Sequence, residues 1–575
     1  MNAAVQTDNA PVTGFRRQIA FDGWTLIAAA IGVFVAIPVV SVLLTALGPS
    51  DGIWSHLVST VLGTYVGNTL WLMAGVAVGT IVIGTSTAWL VTMYRFPGRR
   101  ILSWALLLPL AVPSYILAFV ITDQLEYAGN VQSALRAVFG WTSARDYWFP
   151  EIRSLGGAII VLSLVLYPYV YLLARAAFIE QSFGLFETSR TLGRGPVASF
   201  FSVAVPLARP AIAVGVALAL METLNEYGTI EFFAVPTLTA GIFDVWLNMD
   251  STAGAAQLAS VLVAFTLVLV VIERISRRSR RYHDTTTRVQ ALPEYPLPPA
   301  LGAAALVWCA APVALGFVLP ACVLGNYAMT FYAETLEADY FDYVWNSVML
   351  AVWAAAIAAL AGILLAYGVR LSPRRAMRGL AEFATIGYAV PGAVLAVGIM
   401  VPLGYFDNAI DAASRKLFGL PLGLLVSGTA TGLVIGYVVR FLALGYRTVD
   451  SGLSRVTPSI EGAARTLGSN PTHALLRVHV PIIRPSVITA ALLVFVDTMK
   501  ELPLTLILRP FNFDTLATFV YQYASDELLE ECALGALTIV AAGVIPVMVM
   551  SRTIARSRPG HRNALAASAS RRAVA

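Results

Sequence analysis

Residues 187–193 read Glu-Thr-Ser-Arg-Thr-Leu-Gly, and residues 462–468, which lie 275 positions later, read Gly-Ala-Ala-Arg-Thr-Leu-Gly. A second pair follows at the same spacing, with Val-Pro-Leu-Ala-Arg-Pro at 205–210 and Val-Pro-Ile-Ile-Arg-Pro at 480–485. The flanking sequence is strongly apolar, so each copy is a polar loop between hydrophobic segments. Such a repeat predicts two copies of one membrane unit, each presenting the same surface to a partner.

The composition is that of a membrane protein. Of the 575 residues, 58% are hydrophobic and 12% are charged, and the mean hydropathy is +0.75. About 20 helical residues cross a hydrocarbon layer of about 30 Å, and apolar windows of that length recur along the chain. We therefore predict an all-α, polytopic protein with two tandem sets of six transmembrane helices. The predicted spans are 24–45, 67–93, 101–122, 156–178, 211–229, 253–272, 299–323, 346–369, 380–402, 423–444, 485–508 and 533–550.

The basic residues set the predicted orientation in the membrane. With this topology, 29 of the 38 Lys and Arg residues lie in the loops and tails of one side, and 6 lie in the loops of the other. An excess of Lys and Arg marks the cytoplasmic side. We therefore expect a multi-pass protein of the cell inner membrane with both termini and both repeated loops in the cytoplasm. The net charge of +5 reflects this topology and predicts no nucleic-acid partner.

The duplication extends beyond the loops. Asn-Thr-Leu at 68–70 is matched by Asn-Ser-Val at 346–348, and Ala-Val-Pro at 111–113 recurs at 389–391. An even number of predicted spans separates equivalent points, so the two units have the same orientation in the membrane.

These matches give the predicted domain boundaries. The first six-helix repeat covers 1–272 with its loop at about 180–210, and the second covers 299–552 with its loop at about 455–485. An Arg-rich and Pro-rich segment, 273–298, is typical of a cytoplasmic linker. The basic tail 553–575 has no apolar periodicity, and we expect it to be disordered.

Each repeated loop has the features of a helix, a turn and a second helix. Gly193 and Gly468 supply a residue without Cβ where the backbone turns after the first helix. We expect the second, amphipathic stretch to stop at Pro206 in one copy and at Pro481 in the other. Small residues on the first helix, which are Ser189, Ala463 and Ala464, would let a partner approach closely.

The two loops resemble the EAA loops of ABC importer permeases. That pattern is Glu-Ala-Ala, three residues, Gly, nine residues, and then apolar, any, apolar and Pro. The first copy keeps the acid but has Thr and Ser for the alanines; the second keeps both alanines but has Gly for the acid. The resemblance implies an ATPase-coupling role for these residues: Glu187, Thr188, Ser189, Gly193, Gly462, Ala463, Ala464 and Gly468. It also implies two kinds of partner, a cytoplasmic ABC ATPase dimer and a periplasmic solute-binding protein.

The chain itself is not predicted to be an enzyme. A phosphate-binding P-loop needs Gly-x-x-x-x-Gly-Lys followed by Ser or Thr, and the lysines here, Lys416 and Lys500, follow Arg415 and Met499. We therefore expect no cofactor on this chain, with ATP used by the partner subunit. The three cysteines and five histidines have no metal-ligand spacing, so no metal site and no catalytic residue is predicted.

Four carboxylates fall in equivalent apolar segments. Glu222 and Glu226 align at the same 275-residue offset with Asp497 and Glu501. Charge inside a membrane costs about 2.5 kcal/mol or more per residue and marks a pathway or a paired site. Two interpretations remain open: the four carboxylates face one another along a translocation pathway for a cation, or Asp497 is neutralised by Lys500 and the rest are solvated. For Arg175 and Arg440 in other spans, structural pairing is favoured over substrate binding.

The substrate is suggested by resemblance alone. The sequences at 167–175, 227–233 and 500–511 resemble those of the fused permeases of ferric iron importers, which implies ferric iron delivered by a periplasmic binding protein. Thiamine or polyamine permeases are the alternatives. A proton-coupled secondary transporter, which would carry protons on the four carboxylates and need no partner, is the hypothesis from another class, and the paired loops argue against it.

Overall fold

The structure is a computed structural model that describes residues 23–556, with gaps at 182–188, 190, 194, 279–294, 337 and 373–374. The predicted tail lies almost wholly outside the described residues, and so does most of the predicted linker. The boundaries drawn for the two repeats stay predictions.

The described chain is almost entirely helical, as the apolar composition predicts. Its helices in the first half are α1 (Gly23–Ala46), α2 (Ile53–Thr60), α3 (Leu62–Met93), α4 (Arg99–Ala105), α5 (Ser114–Leu125), α6 (Asn130–Phe139), α7 (Leu155–Glu180), α8 (Pro196–Asn225), α9 (Gly228–Phe232), α10 (Leu238–Phe243) and α11 (Thr252–Arg278). Those of the second half are α12 (Pro299–Ala333), α13 (Ala338–Leu371), α14 (Arg375–Ala384), α15 (Gly392–Phe418), α16 (Ala430–Leu453), α17 (Pro458–Thr466), α18 (Pro471–Met499), α19 (Pro503–Leu508), α20 (Leu516–Ser525) and α21 (Leu529–Arg556). The strands of the described residues, β1 (Tyr94–Arg95) and β2 (Tyr295–Pro296), form one short parallel pair.

Eleven of the described helices are long and apolar enough to cross a membrane. A twelfth crossing is formed if two helical segments, Arg99–Ala111 and Ser114–Phe139, count as one span bent by 95°. The predicted fold class, an all-α membrane protein with about twelve spans, is confirmed.

The repeated Ala-Val-Pro triplet breaks a helix in each half. The segments predicted as spans at 101–122 and 380–402 are therefore not single continuous helices, since new helices begin at Ser114 and at Gly392. Proline has no N–H to donate and pushes the preceding residue out of the helical region. Val112 accordingly has an extended backbone, with φ −90° and ψ 119°.

The second stretch of each loop does not stop at its proline. It runs directly into the membrane span as α8 or α18, so the predicted stops at Pro206 and Pro481 are wrong. A wider π-turn at Phe200–Ala204 and at Leu475–His479 ends two residues before each proline. These turns accommodate the hydrogen bond that proline cannot make, so the helix continues with a local distortion.

The two halves exchange contacts through their first helices, each of which also packs on its own half, α1 on α11 and α12 on α21. The first half's α1 packs against α13, α14 and α15 of the second half, and the second half's α12 packs against α3, α4 and α5 of the first. The approach is close at Gly398 of α15, where an added Cβ would lie 2.2 Å from the carbonyl oxygen of Pro38. The exchange makes the halves a single packed body with an interface at its centre.

The matched Asn residues of the two halves make matched contacts. The Asn68 side chain donates to the Pro236 carbonyl at 2.9 Å, and the Asn346 side chain donates to the Asp514 carbonyl at 3.0 Å. Each bond fixes the segment that precedes a short helix, α10 or α20. The repeat therefore extends to individual hydrogen bonds.

Candidate functional site

A small cavity of ≈ 60 Å³ lies at the interface of the two halves. This volume is enough for a few water molecules. Its walls come from α7, α8, α16 and α18, together with the segments that follow the two Ala-Val-Pro breaks. The polar side chains of its lining are Ser114, Tyr115, Tyr169, Glu222, Asn225, Glu226, Tyr388, Arg440, Asp497, Lys500 and Glu501. The structure thus brings together all four carboxylates that the sequence singled out.

The lining carries an excess of negative charge. It contains four carboxylates and two basic groups, which gives a formal charge of −2. In the part of the chain that the structure describes, no three His, Cys, Asp or Glu side chains are grouped to hold a metal ion. The four carboxylates therefore line one cavity without forming a metal-coordinating cluster among the described residues.

Two of the carboxylates cap helices. Glu226 accepts a hydrogen bond from the Thr229 N–H at 2.9 Å, and Glu501 accepts one from the Leu504 N–H at 3.0 Å. These N–H groups lie in the first turns of α9 and α19, where helix donors have no partner within the helix. Glu226 also accepts a hydrogen bond from the Ser114 hydroxyl. Both residues hold the backbone at the bend that follows each long helix.

The other two carboxylates differ in their pairing. Asp497 forms an ion pair with Lys500 at 3.0 Å, one helical turn later. In the first half the residue equivalent to Lys500 is Asn225, which carries no charge to pair with Glu222. Among the described residues, Glu222 makes no hydrogen bond or ion pair, although Arg440 and Lys500 lie close enough to act on its charge. The carboxylate of Glu222 is the one left open to the cavity.

Arg440 links the halves at the cavity wall. Its Nη1 donates to Asn225 Oδ1 at 2.9 Å and lies 3.9 Å from Glu501 Oε1. Asn225 Oδ1 also accepts from the Gly392 N–H at 2.7 Å. Arg440 is thus paired structurally, and so is Arg175, whose Nη1 donates to a main-chain carbonyl at 2.9 Å.

The sequence comparison did not single out Asn225 or Gly392. When the two halves are aligned at the 275-residue offset, Asn225 is the uncharged equivalent of Lys500. This difference between the halves is the sequence feature that could have drawn attention to Asn225. Gly392 is the residue that follows the second Ala-Val-Pro triplet, where the first half has Ser114.

The turn of each loop has the backbone that the sequence predicts. Gly193 has φ +78° and Gly468 has φ +81°, which is the left-handed region that favours glycine. Among the described residues, no atom outside the turn itself lies within 4 Å of where a Cβ would be at either position. Leu192 and Leu467, which directly precede these glycines, are 75% and 86% exposed. Each loop therefore presents a leucine at its tip.

The small residues of the first loop helices differ in orientation. Ser189 and Ala464 are buried, and the Ser189 hydroxyl lies 2.8 Å from that of Ser199. Gly462 and Ala463 are exposed. Two more predicted coupling residues, Glu187 and Thr188, lie outside the described residues.

The second loop has an acidic residue one position before the place where the EAA pattern expects it. Glu461, one position before Gly462, pairs with Arg370 at 3.3 Å. Arg370 also donates to the Leu453 carbonyl at 2.5 Å and to the Val456 carbonyl at 2.8 Å. This arginine therefore ties the end of α13 to the start of the loop helix α17.

A family of known sequences matches both halves. Its description is binding-protein-dependent transport system inner membrane component, and it matches residues 80–282 and 358–558. These two segments each contain one repeated loop and together make up most of the chain.

Two relatives are similar over nearly the full length. The Fe(3+)-transport system permease protein FbpB 2 of Haemophilus influenzae is 24% identical over 535 residues, covering 92% of this chain and 97% of the relative. The probable ABC transporter permease protein y4fN of Sinorhizobium fredii is 24% identical over 574 residues, covering 93% and 96%. The molybdenum transport system permease protein ModB of Escherichia coli is 28% identical, but over 34% of this chain and 86% of the relative.

Proposed function

The chain belongs to the family of binding-protein-dependent transport system inner membrane components, and we propose that it forms both halves of the pore of an ATP-driven importer of ferric iron. The family consists of membrane permease subunits, which are not enzymes themselves. The proposed partners are a cytoplasmic ATPase dimer, which uses the ATP, and a periplasmic binding protein, which delivers the substrate. Both termini and both repeated loops are then cytoplasmic.

The observation that carries the assignment to iron is the full-length similarity to a Fe(3+)-transport permease. The cavity supports it, because a lining with a formal charge of −2 attracts a cation and repels an oxyanion such as sulfate. Relatives named for molybdenum and sulfate transport match only about a third of the chain, which is about the length of one of the two segments that match the family.

We further propose that the translocation pathway runs past Glu222, Glu226, Asp497 and Glu501, and that these residues are not equivalent. Glu226 and Glu501 are engaged as helix caps, and Asp497 is neutralised by Lys500. Glu222, which has no such partner among the residues that the structure describes, is the carboxylate best placed to meet a passing cation.

Coupling to the motor is assigned to the two loops. The exposed Leu192 and Leu467 are suited to enter an apolar groove on the ATPase subunits, and the glycines behind them hold the turn. Two equivalent loops match two ATPase subunits. A proton-coupled secondary transporter would have no use for such a pair.

The experiment is ATP hydrolysis by the complex of this chain, its ATPase and its binding protein in proteoliposomes. We expect iron-loaded binding protein to stimulate hydrolysis, and thiamine or spermidine with the same binding protein to leave the basal rate unchanged. Stimulation by thiamine or a polyamine and not by iron would overturn the substrate assignment. Solute uptake without any ATPase would overturn the importer itself.

A further inference from the structure

The two halves differ at one place on the cavity wall. In the first half, Ser114 follows the Ala-Val-Pro break, and its hydroxyl bonds to the capping carboxylate of Glu226. In the second half the equivalent residue is Gly392, which has no side chain to bond to Glu501. Arg440 approaches Glu501 instead, at the position where the first half has Val165.

The missing side chain makes room for the arginine. A Cβ on Gly392 would lie 2.7 Å from Glu501 Oε1 and 2.8 Å from Arg440 Nη1. Carbon cannot approach these atoms so closely without displacing them. The position of Arg440 beside Glu501 therefore depends on the glycine at 392, and the first half has neither residue at the equivalent positions.

The arrangement joins the halves. Asn225 belongs to the first half, and its Oδ1 receives hydrogen bonds from Arg440 Nη1 at 2.9 Å and from the Gly392 N–H at 2.7 Å. Both donors belong to the second half. The side chains of Arg440 and Glu501 are each only 4% exposed, so these contacts are largely shielded from bulk solvent.

We propose that Asn225 and Arg440 form a latch that holds the two halves together at the cavity and keeps a cation away from Glu501 until the halves separate. The guanidinium provides the positive charge beside that carboxylate while the latch is closed. When the halves move apart, Asn225 is withdrawn and Arg440 loses its anchor, so the carboxylate becomes available. The proposal rests on the proposed function only in taking the substrate to be a cation.

The test measures access to the cavity directly. Leu166 lines the cavity and is buried, so Leu166→Cys, in a chain whose three native cysteines are replaced by Ala, reports opening through its rate of reaction with a charged methanethiosulfonate reagent. The full complex with its ATPase is used, without binding protein. Asn225→Leu removes the acceptor and leaves Arg440 beside Glu501.

We expect Asn225→Leu to raise the labelling rate about tenfold or more, because loss of a hydrogen bond to a charged group shifts an opening equilibrium by at least that factor. ATP hydrolysis without binding protein rises in parallel. Asn225→Asp, which keeps the acceptor and adds an attractive charge, is expected to label more slowly than wild type. The matched control is Asn326→Leu, an exposed position on α12 outside the cavity lining, which is expected to label at the wild-type rate.

A second variant decides the outcome if Asn225→Leu does not fold. Gly392→Ser combined with Arg440→Val rebuilds the first half's arrangement in the second half, and we expect it to label faster than wild type by a similar factor. Wild-type labelling per folded molecule in either folded variant would overturn the latch. Because labelling needs no solute, this result is separate from the iron assignment: a complex that iron does not stimulate can still show the latch.

Discussion

Among single residues, equivalent positions in the two halves make different contacts. The sequence located the four carboxylates through their shared offset, but it could not tell which of them have partners. Glu226 and Glu501 are bonded to main-chain groups three residues ahead, which only the bend after each helix creates. The pairing of Asp497 with Lys500 was foreseeable from their spacing in a helix; the linkage of Asn225 to Arg440, 215 positions away, was not.

Glu222→Gln tests the assignment of the open carboxylate. We expect iron uptake per folded molecule to fall about tenfold or more, because the amide keeps the shape and removes the charge that meets the cation. The measurement is initial uptake in proteoliposomes with the ATPase and binding protein, divided by the amount of monodisperse chain. The control is Glu531→Gln, an acid at the start of α21 outside the cavity lining. Unchanged uptake in Glu222→Gln would remove this residue from the pathway.

The ion pair of Asp497 and Lys500 predicts a different outcome. Asp497→Asn leaves the ammonium of Lys500 without its partner at 3.0 Å. We expect a stability loss of about 1–3 kcal/mol, less than for a fully buried pair because each side chain remains partly exposed. Adding Lys500→Met restores much of the loss. Thermal unfolding in detergent measures both variants, and an equal loss in the single and double variants would show that the pair does not stabilise the fold.

Among the helices, the sequence-based boundaries were wrong mainly next to prolines. The Ala-Val-Pro triplets were recognised as a repeat, but hydropathy averaged over a window cannot see that they break the helix, so two spans were drawn across the breaks. At Pro206 and Pro481 the error was the opposite. There the residues before proline remain helical because a π-turn absorbs the missing hydrogen bond, and the loop continues into the membrane as one helix.

Two substitutions at the turn of the second loop are expected to differ in their effect on ATPase binding. Gly468→Ala meets no steric contact and costs only the strain of a left-handed backbone, about 1 kcal/mol. We expect it to retain the ATPase. Gly468→Pro cannot adopt φ +81° and should lose the ATPase on co-purification while the chain still inserts in the membrane. Full retention of the ATPase and normal uptake in the proline variant would contradict the coupling assignment.

At the scale of the whole molecule, the duplication was evident in the sequence, but the exchange of contacts through the first helices was not. α1 packs on the second half and α12 on the first through apolar helix faces. Any apolar helix could cover such a face, so the local sequence does not show which helix does. Residues near the C-terminal ends of α8 and α18 line the same cavity, while each helix remains joined to its own loop. Movement of a loop therefore reaches the cavity through a single helix.

The positions of the two lysines predict that ATP is hydrolysed by a separate subunit. The purified chain in liposomes is expected to hydrolyse no ATP, because neither lysine completes a phosphate-binding loop. Phosphate release above that of empty liposomes, after contaminating ATPases are removed by a second purification, would contradict this. Addition of the cognate ATPase should restore hydrolysis.

The most direct test of the account is uptake of radioactive ferric iron into proteoliposomes that contain this chain and its ATPase, with iron-loaded binding protein outside and ATP inside. We predict accumulation that requires all three proteins and ATP, and that is lost with Gly468→Pro and strongly reduced with Glu222→Gln. Iron accumulation that proceeds without ATP, or the absence of iron accumulation while another solute accumulates under the same conditions, would contradict ATP-driven import of ferric iron through this chain.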